Sequence, residues 1–124
     1  MGSTQPTKNH TILIVDDEEA IAENLADFFK EDNLGTVTFN DPEEAYECGK
    51  SNSFDLLITD VKMPKMSGLD LHEKLKIYYP DLLTILMSGF STLDSAQKAI
   101  SVSVYAYINK PFKLEEISQL VSNA

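Results

Sequence analysis

Five short apolar runs alternate along this chain with five stretches whose apolar residues recur at helical spacing, and few folds accommodate that rhythm. The runs are Ile12-Leu13-Ile14-Val15, Thr36-Val37-Thr38-Phe39, Leu56-Leu57-Ile58, Leu82 to Met87 and Val104 to Ile108. The first, third and fourth are almost continuously apolar, as strands buried on both faces should be. The second and fifth alternate with Thr or Tyr, which suits the edges of a sheet. Between the runs, Ile21, Leu25, Phe28 and Phe29 share one face of a first helix. Asp41-Pro42-Glu43-Glu44 supplies an N-cap, a proline at the first helical position and early acids for a second. Leu71, Leu75 and Tyr78 mark a third, stopped by Pro80. Ser91-Thr92-Leu93-Asp94 resembles a capping box before Leu93, Ala96 and Ile100, and Leu114, Ile117, Leu120 and Val121 form the last. Strict alternation of strand and helix implies right-handed crossovers and an α/β doubly wound architecture, a parallel sheet covered on both faces.

The chain has 124 residues, one domain's worth. Residues 1–10 are polar and patternless and read as a flexible leader or cloning remnant, leaving 11–124 as the domain. Ten lysines, twenty acids and no arginine give a net charge of −10. A body this acidic, without guanidinium forks, is unsuited to gripping phosphate backbones, so no direct nucleic acid binding by this domain is expected. The single cysteine, Cys48, permits no internal disulfide and fits a reducing, cytoplasmic setting. No apolar run reaches the ~20 residues of a membrane span, and no signal-peptide pattern is present, so no membrane role is expected.

In such a sheet, ligands bind beyond the carboxyl ends of the strands. There the first run ends in Asp16-Asp17, the third in Asp60, the fourth in Ser88-Gly89 and the fifth in Asn109-Lys110-Pro111. Carboxylates, a hydroxyl and an ammonium thus leave one rim. Two carboxylates ~4 Å apart repel by about 4 kcal/mol at an effective dielectric near 20, so cations must compensate or protons must stay. Lys110 offers one charge. Mg²⁺, which takes a few carboxylates and leaves positions open for phosphate oxygens, suits the remainder better than Ca²⁺, which wants more oxygen ligands.

Ile14-Val15-Asp16-Asp17, Asp60-Val61-Lys62-Met63-Pro64 with Gly68 following, Met87-Ser88-Gly89 and Lys110-Pro111-Phe112, in that order, resemble the receiver domain of response regulators in two-component signalling. Each piece alone is weak; Asp60 by itself reads as an ordinary loop aspartate before a turn. All four together, over roughly residues 11–122, are specific. The resemblance implies a flavodoxin-like (βα)5 fold, a five-stranded parallel sheet in the order 2-1-3-4-5. It implies that Asp60 is the phosphoacceptor, taking a phosphoryl group from a phosphohistidine on a sensor histidine kinase or phosphotransfer protein. Asp17, Asp60 and the backbone carbonyl of Lys62 would ligate Mg²⁺, with Asp16 acting through water. Lys110 would pair with Asp60 and then with a phosphoryl oxygen, and Ser88 would bind another. Tyr107 would turn inward as Ser88 moves. Lys110-Pro111 would be a cis peptide, and Lys62 and Phe90 would tune acyl-phosphate lifetime. The expected output is a change in the face formed by the fourth helix, fifth strand and fifth helix, acting on an output domain of the same chain or a separate target. The domain would not be an enzyme beyond its own phosphorylation and slow autodephosphorylation.

The chain departs from the family where Ser103-Val104 replaces a frequent Gly-Ala and Ala106 replaces a common acid. Without arginine, the ion-pair network by which one large class of DNA-binding regulators dimerises cannot form. Val102, Val104, Tyr105 and Tyr107 leave that face apolar, so a partner domain or a homodimer is expected there. One rival function is a pseudo-receiver, an interaction module independent of phosphorylation; the retained Asp60, Asp17, Lys110 and Ser88 speak against it. Another is an aspartate-nucleophile phosphatase, whose second Asp, two residues after the nucleophile, is Lys62 here. No G-x-x-x-x-G-K-[ST] loop is present for a nucleotide kinase or GTPase, and flavin binding would leave the acidic rim unexplained. His10 lies in the leader, and His72 is expected on the solvent side of the third helix. Cys48 reads as a partly buried helix residue, and Met63 and Met66 as loop packing.

Overall fold

The structure is a computed structural model that describes residues 11–31, 34–52, 54–88, 104–110 and 112–123. In chain order the elements are β1 (Thr11–Val15), α1 (Glu19–Lys30), β2 (Gly35–Phe39), α2 (Pro42–Ser51), β3 (Leu56–Asp60), α3 (Gly68–Tyr78), β4 (Leu83–Ser88), β5 (Ala106–Asn109) and α4 (Leu114–Ser122). The strands are all parallel in the order β2-β1-β3-β4-β5, so the two alternating runs do form the edges. The helix expected around Leu93, Ala96 and Ile100 lies outside the described residues, as do the leader, Gly89, Phe90, Val102, Ser103 and Pro111 with its peptide bond.

Alternation of side chains along each strand feeds two cores. On one face Ile12, Ile14, Ile58, Ile85, Met87 and Ile108 meet Ala22, Leu25 and Phe29 of α1 and Ile117 of α4. On the other, Leu13, Val15 and Leu57 meet Ala45 of α2 and Leu71 and Leu75 of α3. Leu13, Ile14, Leu57, Ile58, Ile85 and Leu86 are fully buried, which explains why their runs carry no polar alternation. Helix starts follow local chemistry. The Asp41 side chain accepts from the amide of Glu43 with Pro42 in the first turn, and Ser67 and Asp70 form a capping box at α3.

Several expectations are corrected. β4 begins and ends one residue later than read, taking in Ser88, and β5 starts at Ala106, with Val104 and Tyr105 ahead of it. Tyr78 is 48% exposed rather than part of the buried stripe. The cause is Pro80, which bars helical geometry at the preceding Tyr79 (φ −131°). Tyr79 instead swings inward, and its hydroxyl donates to the carbonyls of Gly49 (2.6 Å) and Asn52 (3.0 Å), closing the end of α2. Leu114 also remains partly exposed. His72 is not on the solvent side: it is 2% exposed, and its Nδ1 lies 2.7 Å from Oγ1 of the buried Thr84 on β4. Gly68, Leu71, His72 and Leu75 form one helical stripe against the sheet, and His72 is tolerated there because a strand hydroxyl meets its ring. Cys48 is half-buried in α2, and Met66 sits in the second core with Met63 against it, as read.

Two glycines mark close approaches. A Cβ on Gly68 would lie 2.1 Å from the carbonyl oxygen of Asp60, a backbone atom that cannot give way. A Cβ on Gly49 would lie 2.6 Å from Leu75 Cδ2, the end of a rotatable side chain. Gly68→Ala is therefore expected to destabilise the protein by about 2–3 kcal/mol in urea denaturation. Gly49→Ala is expected to cost less than about 1 kcal/mol, because the gain in helix propensity offsets a shift of Leu75. Equal costs at the two positions would contradict this account.

Candidate functional site

The acidic rim forms where β1 and β3 end beside each other at the centre of the sheet. As β1 stops pairing, the Asp16 amide donates to the carbonyl of Phe39 (3.1 Å). Asp16 Oδ1 then accepts the amide of Glu18 (2.9 Å), a short Asx turn that starts α1. Asp60 closes β3. Its carbonyl accepts from Thr59 Oγ1 (3.0 Å) and abuts Gly68, whose amide donates to Val61 (2.8 Å). From the next strand, the Lys110 amide donates to the carbonyl of Ser88 (2.6 Å), which ties the β5 exit to the end of β4.

Asp16 is fully buried, Asp60 and Ser88 nearly so, and Asp17 is exposed. One carboxylate oxygen from each of Asp16, Asp17 and Asp60 lies within 4.8 Å of the others, a set able to hold a metal ion. The Lys110 side chain, 11% exposed, reaches into this set. Its Nζ lies 2.7 Å from Asp16 Oδ2, 3.4 Å from Asp60 Oδ2 and 3.7 Å from Glu18 Oε1. The expected partner of Lys110 was Asp60; the shortest contact is with Asp16, and the Asp60 contact is longer. Both Asp16 oxygens are thus engaged, Oδ1 by Glu18 and Oδ2 by Lys110, which leaves Asp17 and Asp60 the freer carboxylates.

The electrostatics follow. Burial pushes the Asp60 carboxyl up to about 6; the Lys110 charge opposes this and the Asp16 and Asp17 charges add to it. Burial likewise raises Asp16 despite its bond to Lys110. Burial pulls Lys110 down, but its hydrogen bond to Asp16 and the Asp16 and Asp60 charges outweigh that and hold it above the ordinary lysine value. Lys62 follows two residues after Asp60 with an exposed side chain. Tyr107, paired in register with Leu86, packs beside Val61, Leu69 and Val104. Its hydroxyl is buried and has no hydrogen-bond partner among the described residues. Sequence reading gathered Asp16, Asp17, Asp60, Ser88 and Lys110 but missed Glu18 and the support of Asp60 by Thr59 and Gly68. An unbroken acidic triplet, Asp16-Asp17-Glu18, was the available signal for the first.

A carboxyl raised in the native state binds more protons there than in the unfolded chain between its ordinary value and about 6. Stability therefore falls as pH rises through that window and stays lower above it. Asp60→Asn is expected to stabilise the metal-free protein at pH 7 by about 1–2 kcal/mol, allowing for solvent screening. The gain should shrink towards pH 4, where Asp60 itself is neutral; thermal midpoints across that range, if flat in the difference, contradict it.

Residues 12–122 match the family model of the response regulator receiver domain. NtrC of Escherichia coli (strain K12), a DNA-binding transcriptional regulator, is 34% identical over 113 residues, 91% of this chain and 24% of that protein. The chain thus spans about a quarter of the length of the curated relatives it matches. A receiver domain protein from Clostridium thermocellum superposes with a TM-score of 0.86 at 31% identity, covering 92% of each chain. The beryllofluoride-activated receiver domain of NtrC4, solved as a dimer, gives 0.85 at 30% identity, covering 91% of this chain and 93% of that one. With the matching sheet order, these likenesses make the chain a member of the response regulator receiver domain family of two-component systems.

Proposed function

We propose that this receiver domain is a phosphorylation-dependent switch, with Asp60 the acceptor of a phosphoryl group from a phosphohistidine of a sensor histidine kinase or phosphotransfer protein. The observation that carries the reading is the meeting of Asp60, Asp17 and Asp16 with the Lys110 ammonium at one strand rim. The donor set suits Mg²⁺: hard oxygen donors throughout, with Asp17 and Asp60 the carboxylates least committed to other partners. Asp17, Asp60 and the Lys62 carbonyl would hold the ion, and Asp16 would reach it through water. When bound, it supplies positive charge against the carboxylates and the phosphoryl oxygens.

Asp60 then acts as nucleophile. A carboxylate oxygen forms a bond to phosphorus as the P–N bond to the donor imidazole breaks, and the leaving nitrogen keeps the electron pair. Lys110, already within 3.4 Å of the Asp60 carboxylate, neutralises charge on the transferred group. Ser88, at the end of β4, donates a charge-assisted hydrogen bond to another phosphoryl oxygen. Moving a two-state surface from 1:99 to 99:1 takes about 5.5 kcal/mol, which a few such contacts supply in large part. Tyr107 is the reporter: its hydroxyl is buried and has no hydrogen-bond partner among the described residues, so a small rearrangement at the end of β4 is read out by its ring. The readout is the face around β5 and α4, taken by an output domain, a separate target or a second copy. Catalysis is confined to the domain's own phosphorylation and slow hydrolysis of the acyl phosphate, in the cytoplasm.

Incubation with acetyl phosphate and Mg²⁺ is expected to give a hydroxylamine-sensitive acyl phosphate in the wild type and none in Asp60→Asn or after chelation. Lys110→Ala and Ser88→Ala are expected to accept the group, Lys110→Ala more slowly, while losing the accompanying shift of the Tyr107 ring resonances. An unmodified wild type would point to the phosphorylation-independent module, and a normal Tyr107 response in both variants would contradict their roles.

A further inference from the structure

The third acid of the Asp16-Asp17-Glu18 run has no part in the scheme above. Glu18 is the N-cap of α1, yet its side chain makes no capping hydrogen bond, and Glu is not among the residues favoured there. Its amide is held by Asp16 Oδ1. Its carboxylate instead approaches Lys110, with Oε1 3.7 Å from Nζ, while the side chain remains 66% exposed. Lys110 therefore faces two interior carboxylates, Asp16 and Asp60, and a third on the solvent side. Asp17 adds a fourth carboxylate to the cluster, and Lys110 is the one ammonium in contact with it among the described residues. A divalent cation offsets two of the surplus charges and leaves one negative charge over, and the most exposed carboxylate on Lys110 is Glu18.

We infer that Glu18 is a specificity-determining residue for the phosphodonor. It disfavours small, multiply anionic donors in free solution and favours a phosphohistidine whose flanking lysine or arginine meets the Glu18 carboxylate. This rests on the phosphoryl-transfer reading of Asp60. The new O–P bond forms to Asp60 and the donor's P–O or P–N bond breaks, its electron pair leaving with the donor; Glu18 touches neither bond. Its influence is the field at the entrance, felt within a Debye length of about 10 Å at 0.1 M salt.

The test compares wild type, Glu18→Gln and Glu18→Lys with Mg²⁺ and two donors, acetyl phosphate and a synthetic phosphohistidine peptide flanked by lysines. Glu18→Gln should raise kcat/KM for acetyl phosphate about two- to fivefold, through KM, and lower it for the cationic peptide by a similar factor. Glu18→Lys should enlarge both changes, and added salt should shrink them. In the metal-free protein, the ¹⁵N shift of the Lys110 ammonium should move in Glu18→Gln while the thermal midpoint stays put. Changes of the same sign with both donors, changes insensitive to salt, or no change would overturn the assignment of Glu18. A wild type that neither donor phosphorylates would instead overturn the reading of Asp60, and this inference with it.

Discussion

The contact between Lys110 and the fully buried Asp16 is the constraint on which the rim depends. A carboxylate removed from water is costly unless charge and hydrogen bonds replace its hydration, and Asp16 receives both, from the Lys110 ammonium and the Glu18 amide. Once that pair is set, the remaining anions have no second lysine among the contacts described. Asp60, next in line to the same ammonium, is left with a carboxyl that holds its proton too readily for a solvated aspartate. Such a group is charge-frustrated, and a cation or an added ligand relieves it.

Sheet order makes this frustration possible. Because β1 and β3 are neighbours and parallel, their carboxyl ends deliver Asp16 and Asp60 side by side, while β4 and β5 bring Ser88 and Lys110 from the other half. The two apolar cores lie behind the rim on opposite faces and hold the strand ends in fixed relation. The rigid scaffold therefore keeps together groups that would separate if the strands were free to move.

Much of this was legible in the residues. Short continuous runs such as Ile12 to Val15 suit strands covered on both sides, and Asp41-Pro42 announces a helix start by its own chemistry. The rest depended on partners far away in the chain. Ser88 and Asn109 look like loop residues until the neighbouring strand is known, so the sequence alone ends β4 and β5 one residue short. His72 reads as a surface residue because Thr84, which makes its burial tolerable, belongs to another element. The exchange of Tyr78 for Tyr79 turned on the backbone restriction before Pro80, a local rule whose outcome was visible only with α2 in place. The set of charged groups was readable, but the preference of Lys110 for Asp16 spans 94 positions and is a matter of distance alone.

The bare Cα of Gly68 against the Asp60 carbonyl leaves nothing compressible between β3 and the first turn of α3. A push on Asp60 from its carboxyl end meets an anvil on that side. Across β4, at the edge strand, the buried Tyr107 hydroxyl is unpartnered among the described residues. Strain arising at that rim is thus resisted on the α3 side, where backbone meets backbone.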